Sequence, residues 1–297
     1  MKINDFAAGA ERLVDPIQVG KIHYLQHWLA KMPKSLQRKI VTNASKKSPK
    51  MGFVVEPYAL FLFYEIRNPE TANSLLPEGF QITKSRVFAH DTEKYYGIIS
   101  IFRLHTSTFW GARSEFYAVA QNQATGLMSW IILDYVSDTI SFDQKHGLRS
   151  AEAIRPVVTT TCEGNFLADI SNSADGHRIA CQANLLNPTL RQLDQKLWIE
   201  GNTSIAYGRE IANDGRLFSL TFMPEEMHQA WEIPLDDIKV TENSWYPELF
   251  GGELAKVACF PFAQHMLADS PGTSTHYGSE AALRAAAENI KFDSLDK

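Results

Sequence analysis

The sequence predicts a mainly β protein, an antiparallel barrel or sandwich flanked by terminal helices. Three observations lead there. Short apolar runs recur between turn signals from Phe53 to residue 268, helical periodicity is confined to the two ends, and strands do not alternate with long helices as βαβ units require. At 297 residues, 44% hydrophobic and 21% charged, the chain has a globular composition and enough length for a large core, as one domain or two smaller ones. Seventeen phenylalanines suit an aromatic-lined core or cavity. The net charge of -5 argues against nucleic-acid binding, which favours a basic surface.

Residues 1–50 read mainly as helix. Ile22, Leu25, Trp28, Leu29 and Met32 form a stripe at helical spacing, and Pro33 marks a break before a further turn or two over Leu36 to Val41. From Lys31 to Lys50 there are seven basic residues and no acidic one. We read this run as a solvated helix face and linker, with a weak membrane-surface or acidic-partner contact as the alternative.

The pattern then changes to strands. Tyr58 to Ile66 is dense in aromatic and β-branched residues and suits burial on both faces. Asn68-Pro69-Glu70 reads as a helix start with proline at the first helical position, and Pro77-Glu78-Gly79 as the turn that closes it. Further strands are expected at 95–104, 114–122, 127–136, 157–170, 177–186, 203–211, 217–222 and 231–240. Asp175-Gly176 marks a hairpin turn between 157–170 and 177–186, and Asp214-Gly215 a second. Alanine-rich Glu280 to Ile290 reads as a C-terminal helix. The expected division is a helical extension over 1–50, a β-rich domain over 51–270, and a helix and tail over 271–297.

Cys162, Cys181 and Cys259 are too few and scattered for a disulfide framework and lack a Cys-x-x-Cys pair, so they read as small buried residues in a reducing compartment. No signal-peptide run opens the chain and no apolar segment is long enough to cross a bilayer, which makes the cytoplasm the expected location. His23 and His27 have metal-ligand spacing, yet no third ligand is evident and they read as part of a helix face. Nucleophile elbow, Walker loop and Gly-x-Gly-x-x-Gly motifs are absent from the sequence.

Residues Asn68 through Phe80, with their Leu75-Leu76-Pro77-Glu78-Gly79 turn, resemble the opening of the acetoacetate decarboxylase-like superfamily. The strands Tyr96–Phe102, Ser114–Val119 and Leu127–Val136, the hairpin Cys162–Leu186 and the segment Leu254–Ala268 are similar in order and spacing. The resemblance covers roughly residues 55 to 268, and Ser114 to Tyr117 followed by Gly126-Leu127 is also similar to a functionally uncharacterised branch. It implies a closed, cone-like antiparallel β-barrel with an internal cavity, flanked by helices, and a homo-oligomer.

It also implies a chemistry. Ser141-Phe142-Asp143-Gln144-Lys145-His146 lies over the family's Ser-Ala-Tyr-Pro-Lys-Lys run, which matches Lys145 to the Schiff-base lysine and His146 to its neighbour. Gln144 replaces the proline. The family's arginine before the first core strand falls near Tyr58, and its carboxylate falls among Gly97 and Ile98, which carry none. A lysine in an apolar pocket loses charge stabilisation and becomes a nucleophile toward carbonyls. The expectation is therefore a lyase acting on a small carbonyl or keto-acid compound through Lys145, with no metal or organic cofactor, since the iminium is itself the electron sink. His146 and Glu115 are the candidate proton-transfer groups. Arg103 and Arg113 are candidates for a substrate carboxylate. Arg113 and Glu115 share the two-residue strand period, and a plain surface ion pair between them is the simpler expectation, as is an exposed strand end for Arg103. The alternative function is a non-catalytic barrel that binds an apolar or amphipathic small molecule.

Overall fold

The computed structural model describes the chain apart from residues 48, 107–108, 139–140, 144–146, 150, 213–214, 271–273 and 296–297, and apart from the side chains of 26–27, 44–47, 143 and 149. Helices α1 (Ile3–Arg12), α2 (Pro16–Lys31) and α3 (Lys34–Lys47) open it. The Asp15 side chain accepts the Ile17 and Gln18 amides at the start of α2. Pro33 separates α2 from α3, as its missing N–H requires. The expected apolar stripe on α2 is divided by the packing: Ile22, Leu29 and Met32 are half-buried, while Leu25 and Trp28 are exposed.

Strands β1 (Lys50–Val55) and β2 (Ala59–Glu65) follow, then α4 (Pro69–Leu75), capped by the Asn68 side chain on the Glu70 amide. After β3 (Phe80–Ile82) and β4 (Lys84–Ser85) come three long strands, β5 (Lys94–Thr106), β6 (Trp110–Asn122) and β7 (Met128–Ser137). They pair as an antiparallel meander. One edge of β5 is shared. Residues 96–101 pair with β2 and residues 104–106 with β1, so the sheet divides into two wings.

The short hairpin β8 (Ser141–Asp143) and β9 (Gly147–Arg149) stands apart as its own sheet. The stretch expected to be one strand over 157–170 is two, β10 (Val157–Thr160) and β11 (Asn165–Ser171), because Gly164 turns the chain at positive φ. With β12 (Arg178–Asn184), the expected partner across Asp175-Gly176, they build a second sheet.

The chain returns to the large sheet through β13 (Thr189–Gln192), a π-helical turn (Lys196–Glu200), α5 (Gly201–Thr203), β14 (Ile205–Tyr207), β15 (Thr221–Phe222) and β16 (Gln229–Glu232). The expected strands at 203–211 and 217–222 are thus much shorter, and β14 pairs with β7 in parallel. The turn expected at Asp214-Gly215 lies partly outside the described residues. Pro234 cuts the strand expected over 231–240, so that β17 (Ile238–Asn243) joins the second sheet instead. Finally α6 (Pro247–Phe250), β18 (Leu254–Phe260), β19 (Gln264–Asp269) and α7 (Glu280–Glu288) complete the chain. Strand β18 pairs with β2 and β19 with β1, extending the two wings.

The protein is thus mainly β, a large mixed sheet with flanking helices. Its two faces carry separate cores, as strand alternation dictates. On one face Leu60, Leu62, Ile99, Ile101, Phe116 and Ala118 pack with Phe166, Ile170 and Ile179 of the second sheet. On the other, Phe63, Ile98, Tyr117 and Val119 pack with Trp198 of the π-helical turn. No helix among the described residues is long and apolar enough to cross a membrane.

Candidate active site

Strand β6 carries Arg113, Glu115 and Tyr117 at alternate positions, so all three point to the face that holds Trp198. Cross-strand neighbours enclose them: Phe102, Ser100 and Ile98 on β5, and Ser137, Tyr135 and Ile132 on β7. A register shift on β7 between the partners of Phe116 and Tyr117 keeps Tyr135 and Ile132 on the same side despite the odd spacing.

The Arg113 Nε donates to Glu115 Oε1 at 2.5 Å, and Arg113 Nη1 donates to Ser141 Oγ at 3.2 Å. The Tyr117 hydroxyl donates to the other carboxylate oxygen, Glu115 Oε2. Ser141 in turn lies 3.4 Å from Ser137 Oγ. The guanidinium carbon sits 4.1 Å from the Tyr135 ring centroid, a cation–π contact. Side-chain exposure is 12% for Arg113 and 11% for Glu115, so little of either side chain meets water. The expected surface ion pair is therefore corrected to an interior one. The physical reason is that β6 starts at Trp110, four residues earlier than the expected Ser114, which puts Arg113 between β5 and β7.

Burial acts on the charges of this row. It pulls the Arg113 guanidinium down, but the Glu115 carboxylate beside it more than offsets that and leaves it above its ordinary value. Burial pushes the Tyr117 hydroxyl well up, the negative Glu115 adds to this, and Ser100 and Arg113 offset part of it. Tyr117 is therefore a neutral donor throughout the physiological range. Both Glu115 carboxylate oxygens are thus held by donors, the Arg113 cation on one and the neutral phenol on the other.

Around the row the wall is aromatic. Trp130 donates its indole N–H to the Leu197 carbonyl at 2.8 Å and meets Tyr117 edge-on, with centroids 4.9 Å apart. Trp198 contacts Phe61, Trp130 and Phe260 at 5.1, 5.4 and 5.2 Å. Gly201 permits this packing, because a Cβ there would lie 2.1 Å from the Trp130 ring.

Of the other expected site residues, only Arg103 is described. Arg103 lies next to Phe102 on β5 and so faces away from Arg113; it pairs with Glu56 at 3.3 Å and is partly exposed. Lys145 and His146 lie outside the described residues. The strands that bracket them are described: β8 and β9 pair Phe142 with Leu148 and Asp143 with Gly147. Gln37 anchors that hairpin, its Oε1 accepting the Leu148 amide at 2.8 Å while its Nε2 donates to the Leu29, Ala30 and Met32 carbonyls. Sequence reasoning missed Tyr117, Tyr135, Ser137 and Ser141. For Tyr117 the signal is the alternation Arg-Ser-Glu-Phe-Tyr, which puts a phenol on the same strand face as the ion pair. Among the described residues no cluster of three or more His, Cys, Asp or Glu could hold a metal ion. Cys181 and Cys259 are buried, with thiols pushed up to about 12 by burial, whereas Cys162 is exposed, against expectation.

No protein-family model and no curated protein matches the chain. Among solved structures it is similar to the crystal structure of acetoacetate decarboxylase from Legionella pneumophila subsp. pneumophila str. Philadelphia 1. The identity is 12% and the TM-score 0.47, over 73% of this chain and 85% of that chain. The likeness is a distant one of fold and assigns no residue a role.

Proposed function

We propose that the chain is a cofactor-independent lyase acting on a small carbonyl or keto-acid compound. Lys145 is its imine-forming amine, Arg113 the cation for a substrate carboxylate, and Glu115 with Tyr117 and His146 the proton-handling groups. The observation that carries this reading is the buried Arg113–Glu115–Tyr117 row. Burying an ion pair costs several kcal/mol per ion, and apolar residues of the same volume are often as stable or more so. Such a row inside an apolar core marks a candidate for chemistry. It is hydrogen-bonded to Ser141, the first residue of the run that resembles the Schiff-base motif.

In the proposed reaction the neutral lysine amine adds to the ketone carbonyl, and uptake of one proton with loss of water gives an iminium. The electron pair of the bond to the carboxyl carbon moves onto the iminium as carbon dioxide departs. The resulting enamine takes a proton at carbon to give the product iminium, and its hydrolysis returns the ketone, the free amine and the proton taken up in the first step. A closed, cone-like barrel around the row belongs to this proposal. In its support, Phe218 bridges to Ile205 of β14, which pairs with β7 at the end of the meander, while Thr221 and Phe222, a few residues on, pair with β19 in the β1 wing.

Carbon dioxide release from a panel of small β-keto acids tests the reading. The wild-type chain is expected to turn over at least one of them. Glu115→Gln is expected to lower kcat by about a hundredfold with the fold retained, the usual range for losing a proton-transfer group. Binding of small apolar molecules with no turnover of any keto acid would overturn the reading in favour of a non-catalytic barrel.

A further inference from the structure

Charge is unevenly distributed along this chain. Residues 16–50 hold eight of the 29 Lys and Arg residues and none of the 34 acidic ones. The rest therefore carries 21 basic against 34 acidic residues, so a segment of +8 sits on a body of −13. That segment is α2, α3 and their flanks.

The same segment exposes apolar side chains. Ile17, Tyr24, Leu25 and Trp28 on α2, and Leu36 and Ile40 on α3, are all exposed, Tyr24 by 87% and Trp28 by 62%. Counting from Ile17, positions 17, 21, 24, 25 and 28 fall at i, i+4, i+7, i+8 and i+11, which is one face of α2. Lys21 lies within that face, and Lys31 and Lys39 are exposed as well. The opposite face, with Val19, Ile22 and Leu29, turns toward the body of the protein. Gln37 fixes the arrangement by tying the end of α2 to β9.

A helical face with exposed Trp and Tyr, cationic flanks and no acidic residue has the chemistry of an interfacial segment. We propose that the α2–α3 pair docks on an anionic lipid surface. Trp28, Tyr24 and Ile17 enter the headgroup boundary, and Lys21, Lys31 and Lys39 meet lipid phosphates and carboxylates. The acidic remainder of the molecule is repelled by the same surface, which orients the protein with these helices down. The segment lies on the bilayer and does not cross it. This proposal stands independently of the chemistry at Glu115.

Co-sedimentation with phosphatidylcholine vesicles containing about one-third phosphatidylserine tests it, at low salt and again where screening shortens the Debye length to about 8 Å. The expected result is binding to the anionic vesicles, weakened by salt, and none to pure phosphatidylcholine. Trp28→Ser with Tyr24→Ser is expected to lower the affinity at least tenfold. Lys21→Gln and Lys39→Gln are each expected to lower it roughly fivefold. Leu190→Ser, at an exposed site elsewhere, is expected to change nothing. No pelleting at low salt, equal pelleting with neutral vesicles, or unchanged binding of the Trp28→Ser, Tyr24→Ser chain would each overturn the proposal. Self-association without lipid that the same substitutions abolish would assign the face to a second copy instead.

Discussion

Arg113 and Glu115 hold opposite charges where little water reaches either, and each is the other's main compensation. Removing one partner strands the other charge in the apolar interior. Glu115→Leu is therefore expected to cost about 3–5 kcal/mol in urea unfolding, whereas Arg113→Met with Glu115→Leu is expected to recover most of that loss. A double mutant no more stable than the single would show that the pair is not coupled. The ion pair itself was legible in the sequence, since a two-residue spacing on a strand puts both side chains on one face. Its burial was not. Depth depends on β5 and β7 both reaching past Arg113, and that is set by pairing partners rather than by the residues of β6. Lys145 and His146 are candidates through resemblance to a motif alone, and they lie outside the described residues.

At the scale of elements, the terminal helices and the long strands follow from periodicity, and the start of α4 from Asn68-Pro69. The splits did not follow. Thr161 to Gly164 reads as a continuation of a strand until the turn at Gly164 is seen, and Pro234 divides a run that hydropathy leaves whole. Periodicity likewise could not say which side of α2 meets the protein, because its apolar residues spread around much of the helix. Gln37 decides that attachment. Gln37→Ala is expected to cost about 1–3 kcal/mol locally, since three carbonyls and one amide lose their partner. Faster amide exchange over 16–47 and 147–149, with the β5–β7 core unchanged, is the expected readout. A second link, His265, bonds Glu226 at 3.0 Å and Glu11 of α1 at 3.3 Å. Burial pulls the imidazole down, but these carboxylates outweigh it and raise its pKa above the ordinary histidine value. Its contribution is thus present below about pH 6.5 and lost as pH rises through the raised folded value. Protection of α1 from exchange is expected to weaken over that window, and His265→Gln to remove the pH dependence.

Across the whole molecule, the burial expected on both faces of Tyr58 to Ile66 is found, with Leu60 and Leu62 in the core on one face of the large sheet and Phe63 in the core on the other. The division into two cores was not read from the sequence. Pairings between distant segments, such as parallel β14 on β7, were beyond it, because a three-residue strand carries almost no signal of its partner. Those cores also bury groups that ionise at high pH. Burial pushes the thiols of Cys181 and Cys259 and the hydroxyl of Tyr96 up to about 12. Folded values above the unfolded ones mean that stability is intact below about pH 8.5 and falls as pH climbs toward 12. Urea midpoints in reducing buffer are expected to decline over that range, and Cys259→Ala to make the decline shallower. The proposed reaction passes through an imine on Lys145, which borohydride reduces to a stable amine. Reduction in the presence of small β-keto acids, followed by peptide mass spectrometry, is predicted to leave a stable adduct on Lys145, absent when Lys145→Ala is treated alike. Folded wild-type protein that gains no adduct at Lys145 across the panel would overturn Lys145 as the imine-forming amine.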